Sequence, residues 1–208
     1  MSRFAEDGFR EASVRPSDDA KRRAFGHVFG SINSAVSFPS QVFLGSWGAF
    51  LFFESDRLFS PGFAVIAAGL LNAEGAEVCC LLNLSETDRM VYEEAAMLFI
   101  DAGMEPHSYD AALRQGGPAN GWLFGMDRYG SASDRGGWSI YCEKGNDVAA
   151  IALRHPHDTG KYVECLKQLR AEPITVLLKA GSAASVPFGE LTEPWRHGLT
   201  QSYAGFGC

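Results

Sequence analysis

Hydrophobic and polar positions change their spacing along this chain, and the changes divide it into elements. The clearest block runs from Gly136 to Pro173. Trp138, Ile140 and Cys142 alternate with Ser139, Tyr141 and Glu143, which is the period of two of a half-buried strand. Val148 to Leu153 is apolar on both faces, so it predicts a central strand rather than an edge. Between them Lys144 to Asp147 makes a tight turn, in which Gly145 and Asn146 tolerate the positive φ of a short hairpin connection. An amphipathic helix follows, capped by Asp158 or Thr159 and carrying Tyr162, Leu166 and Leu169 on one face. Pro173 ends it, and Ile174 to Leu178 predicts a further strand.

Upstream, the polar stretch 1–16 has no sustained period and predicts a flexible arm ahead of one domain over 17–208. Ser17, Asp18 and Asp19 open a helix that continues at helical spacing through Ala24, Val28 and Ile32 to Val36. Gly26 and Gly30 weaken it by about 1 kcal/mol each relative to alanine, and their four-residue spacing leaves room for another element to approach closely. Trp47 to Phe53, Phe63 to Leu71 and Glu77 to Leu84 read as apolar strands. Ser85 followed by Asp88 has the spacing of a capping box, so a helix is predicted to run from Glu86 to Ala102, with Gly103 as its C-cap. Met126 to Gly137, rich in glycine and charge, predicts an exposed connection, and Glu190 to His197 a short helix.

Residues 63–103 and 137–171 thus share an order of strand, turn, strand and capped helix. The fold class this implies is α+β: a single domain with a mixed, largely antiparallel sheet, helices packed on it, and two β-β-α units. At 208 residues such a domain buries roughly 70% of the surface its unfolded chain exposes, and needs neither disulfides nor a metal for stability. The five cysteines show no framework spacing and fit small buried side chains in a reducing, cytoplasmic setting. The N-terminus has no secretory pattern, and the apolar runs fall short of the ~20 residues of a membrane helix.

Charge changes the picture more than composition does. The net charge is −7, and residues 61–120 hold nine acids against Arg89 and Arg114, while the flanking thirds are balanced. No basic stripe is present, which argues against a nucleic-acid role. On the predicted helix, Val91, Ala95, Leu98, Phe99 and Ala102 make an apolar face for the sheet. Glu86, Met90, Glu93, Glu94, Met97, Ile100 and Asp101 lie opposite, an acidic and partly apolar face suited to a basic protein partner.

Candidate chemistry concentrates in one turn. His155, His157 and Asp158 leave a strand at a spacing that metal-dependent hydrolases use for ligands, although Asp158 there equally suits a helix cap. Gly181-Ser182 lacks the lysine of a phosphate loop, and no nucleophile elbow is present. The leading expectation is therefore a non-catalytic partner-binding protein without cofactor or metal. It would neutralise a basic protein, as small acidic immunity proteins neutralise toxins or nucleases. The alternative is a small metal-dependent hydrolase or transferase built on His155, His157 and Asp158.

Overall fold

A computed structural model describes residues 15–85, 92, 95–117, 121–122, 125–179 and 186–205. Its centre is one six-stranded sheet built from β1 (Ala49–Glu54), β2 (Val78–Asn83), β3 (Met97–Asp101), β4 (Arg128–Ser133), β5 (Trp138–Glu143) and β6 (Val148–Leu153). The spatial order is β1-β6-β5-β4-β2-β3 and every neighbouring pair is antiparallel. Helices cover both faces, so this is an α+β domain in three layers.

One layer contains α2 (Phe63–Glu74), α3 (Pro106–Arg114) and the pair α4 (Asp158–Lys161) and α5 (Val163–Leu169). These pack on Leu51, Cys79, Leu81, Ile100, Ile140 and Ile151. The other layer contains α1 (Asp18–Ser31), α6 (Ile174–Leu177), α7 (Val186–Glu190) and α8 (Glu193–Tyr203), facing Phe50, Phe52, Cys80, Leu82, Tyr141 and Ala150. Neighbouring residues of each strand go to opposite cores, as the pleat requires.

The β5–β6 hairpin forms as its alternation predicts, pairing Trp138 with Leu153 and Glu143 with Val148, and β6 is central. β5 is buried on both faces, because helices cover each side of it. The connecting turn is a 3-10 turn over Lys144–Asn146, and the positive φ falls on Asp147 at 54°. Helix α1 begins where Ser17 accepts the Ala20 amide through its hydroxyl, with Asp18 and Asp19 in the first turn. Its buried line is Ala20, Ala24, Val28 and Ser31.

Several elements differ from the sequence reading, each for a physical reason. Phe63–Glu74 is a helix, not a strand; it is an apolar run without a clear period, and Gly75 at φ 72° closes it as a left-handed C-cap. Ile174–Leu177 is a single helical turn, because the chain has already paired with β1 at Glu172 and Pro173 then precedes a helix start. Residues 128–133 form a central strand rather than an exposed connection. From Gly130 to Ser133 the strand is built of small residues, and at Gly130 an added Cβ would lie 2.7 Å from both Ile32 Cδ1 and Val28 Cγ1, so the end of α1 rests directly on its backbone. The room left at Gly26 and Gly30 is not used by any described residue, since none lies within 4 Å of a Cβ at either position.

The largest correction concerns 86–102. Met97–Asp101 is strand β3, and the β-β-α order of this part of the chain is β2, β3, α3. Glu86, Met90, Glu93 and Glu94 lie outside the described residues. The predicted helix does not extend through 97–102, and Asp88, the other half of the capping box, lies outside the described residues; the Ser85 hydroxyl accepts the Arg128 amide at 3.0 Å, and its own amide bonds Asn83 Oδ1 at 2.9 Å. Residues 1–14 also lie outside the described set.

Candidate functional site

The histidine turn leaves β6 at Arg154. Pro156 lies against Gly48, whose missing Cβ would fall 2.4 Å from the proline nitrogen. Asp158 is buried, and its Oδ2 accepts the His155 amide at 3.1 Å, so this carboxylate braces the turn at the start of α4. His155 and His157 stack with ring centroids 5.3 Å apart, and His157 Nε2 stands 3.8 Å from Asp158 Oδ1. The turn thus brings all three expected residues together. Among the described residues, no three His, Cys, Asp or Glu side chains are grouped to hold a metal.

The cysteines are placed as core residues. Cys79, Cys80, Cys142 and Cys165 are free and buried. Burial pushes the Cys79 thiol up to about 12, and the same cause raises Cys80, Cys142 and Cys165 above the ordinary thiol value. A thiol so held stays protonated and is a poor nucleophile near neutral pH. No described helix is long and apolar enough to cross a membrane.

The proposed docking residues separate once β3 is a strand. Ile100 is fully buried and faces α2 and α3, so it supplies no surface contact. Met97 and Asp101 fall on the other face of the sheet, and Asp101 Oδ1 accepts the Gly103 amide at 2.8 Å in the turn toward α3. Met97 is half-buried beside Phe99 in the α1 layer.

What joins Met97 there is an aromatic group that the charge pattern alone does not reveal. Phe25 and Phe29 of α1 have ring centroids 4.9 Å apart. Tyr92 meets Phe25 edge-on at 5.1 Å and Phe99 at 6.3 Å. The Arg22 guanidinium sits 4.6 Å over the Tyr92 ring. These rings are half-buried, which leaves an apolar rim where α1 meets the β3 end of the sheet. The signal in the sequence was the i, i+4 pair Phe25 and Phe29 on the shoulder of the helix stripe rather than at its centre.

Two other concavities are of note. A groove of about 650 Å³ runs outside α4 and α5, past Val163, Leu166, Lys167 and Arg170. A smaller one, about 220 Å³, gathers Glu54, Asp56, Asp147 and Glu190 from three separate segments of the chain. Burial holds the Lys144 ammonium below its ordinary pKa, against the opposing charges of Asp56 and Asp147. No protein family, curated protein or solved structure matches this chain. The fold and the surface geometry are accordingly what bears on function.

Proposed function

We propose that this is a non-catalytic binding protein whose partner is a basic protein, held in the manner of an immunity protein neutralising a toxin or nuclease. The docking surface of this reading is the β3 end of the sheet, where Met97 and Phe99 adjoin the aromatic rim of Phe25, Phe29 and Tyr92. That juxtaposition is the observation that carries it: Phe25 and Phe29 of α1 meet Tyr92 and Phe99 from residues 61–120, the stretch that holds the whole acidic excess, in one half-buried apolar rim. Acids near such a rim speed encounter with a basic surface, and desolvated aromatics hold the complex afterwards. Relative to the sequence reading, Ile100 leaves the contact set and Phe25, Phe29, Tyr92 and Phe99 enter it.

The test is capture of the native partner and its kinetics. A basic protein is expected, whose association with wild type slows steeply between low and physiological salt. Replacing Glu93 and Glu94 by lysine should slow association about tenfold at low salt. Phe25→Ser should instead hasten dissociation. The pair Glu54→Gln and Glu190→Gln, in the separate acidic hollow, should leave both rates near wild type. A partner without net positive charge, or one lost only with the Glu54 and Glu190 changes, would overturn the reading.

A further inference from the structure

The β3 edge offers backbone as well as side chain. In the β2–β3 ladder the Asn83 amide donates to the Ala96 carbonyl at 3.0 Å, which makes Asn83 and Ala96 a hydrogen-bonded pair. Hydrogen-bonded and non-bonded pairs alternate in an antiparallel ladder. With Leu82 opposite Met97 and Leu81 opposite Leu98, the backbone groups of Leu98 and Ile100 therefore point to β2. Those of Met97, Phe99 and Asp101 point away from the sheet. The other side of β2 agrees, for Leu84 donates to Arg128 and Asp134 to Val78, in the opposite phase. Of the outward groups, the Asp101 carbonyl accepts the Met104 amide at 3.1 Å. Among the described residues, no strand pairs with the remainder.

The two edges of the sheet are treated differently. At β1 the outward groups of Phe52 are closed by Glu172, through bonds of 2.7 and 3.0 Å. At β3 the chain reads Met97-Leu98-Phe99-Ile100, four apolar residues with no proline, glycine or lysine among them. Edges that are left to solvent carry such devices, because a plain apolar edge templates the pairing of another strand.

We infer that β3 is a strand-addition site, which takes an extended segment of the partner as a seventh strand. This rests on the partner-binding reading above and names its mode. The segment's backbone would exchange hydrogen bonds with Met97 and Phe99. Its alternate side chains would lie over the Phe99 and Tyr92 rim on one face and beside half-buried Leu98 on the other. Charge selects a basic segment: Asp101 closes the strand, Glu105 follows it, and residues 86–105 carry six acids against Arg89, an excess that outweighs the Arg22 guanidinium over Tyr92. The same charges disfavour a second copy of this chain, which would bring two acidic excesses together.

The experiment uses the full chain and a nine-residue peptide of alternating lysine and valine, with a control peptide in which the central valine is proline. Amide exchange at Met97, Phe99 and Asp101 is followed by NMR, with Leu98 and Ile100 as internal references. The alternating peptide should slow exchange at Phe99 at least tenfold, and the proline peptide should bind at least tenfold more weakly. Phe99→Pro deletes an outward N–H and no bond to β2, so it should abolish binding; the peptide control stands even where that variant folds poorly. Equal binding of the two peptides without protection at β3, or no binding of either at low salt, overturns strand addition. Capture of a basic partner by salt-sensitive association would leave the broader reading intact in both cases. Protection that grows with protein concentration and needs no peptide would show a second copy on the edge, and also overturns the proposal.

Discussion

Phe38 and Glu143 stand 105 positions apart and are joined by a hydrogen bond from the Phe38 amide to Glu143 Oε1. The same carboxylate accepts the Tyr141 hydroxyl at 2.8 Å and the Asn146 side-chain amide at 2.9 Å, and it is buried. One side chain thus ties the loop after α1 to the β5–β6 hairpin. Glu143→Ala leaves three donors without their acceptor and should cost about 3 kcal/mol, given ~1–3 kcal/mol for each unmet buried group and partial rescue by water. Tyr141→Phe, which removes one donor cleanly, should cost about 1 kcal/mol. Urea unfolding of the two variants checks the order, and equal costs would contradict it.

Glycines in and beneath α1 should respond with opposite sign. At Gly26 and Gly30 a Cβ meets nothing within 4 Å, so alanine at either should stabilise by up to about 1 kcal/mol through helix propensity. At Gly130 a Cβ would lie 2.7 Å from Val28 and Ile32 in the core, and Gly130→Ala should destabilise by about 1–3 kcal/mol. Thermal melts of the three variants read both signs in one series.

Alkaline pH should weaken the fold through its buried thiols. Burial lifts Cys79 from 9.0 to about 12 and raises Cys80 and Cys142 as well. In the unfolded chain these thiols lose protons above pH 9 while the folded chain keeps them. The stability they confer is therefore complete below pH 9 and is lost as pH rises toward the folded value. Each contributes a slope of about −1.4 kcal/mol per pH unit in that window. Urea midpoints between pH 8 and 10, below most tyrosine ionisation, should fall accordingly. Cys79→Ala should flatten the slope by one thiol's share; an unchanged slope would refute the assignment.

What the sequence determined by itself is the local part of this protein. The β5–β6 hairpin and the start of α1 were legible because their signals act over a few residues: a period of two, a turn, and a serine cap that bonds the Ala20 amide. The place of the histidine turn was legible too, but neither Asp158 nor Thr159 is the predicted cap: His157 holds that position without a side-chain bond, Asp158 accepts the His155 amide from inside the first turn, and the helix breaks at Tyr162. Tertiary structure decided the rest. Phe63 to Leu71 is apolar at every position, and whether such a run becomes strand or helix depends on which neighbours bury it. At 97–101, methionine and leucine favour a helix locally, yet β2 offers a ladder partner, so the segment pairs instead. β4 carries almost no strand signal, because small residues are what allow α1 to lie on it. The candidate surface followed the same rule: the acidic excess was countable in the chain, but the union of Phe25, Phe29, Tyr92 and Phe99 is non-local. It exists only because the sheet order places β3 beside β2, beneath the flank of α1.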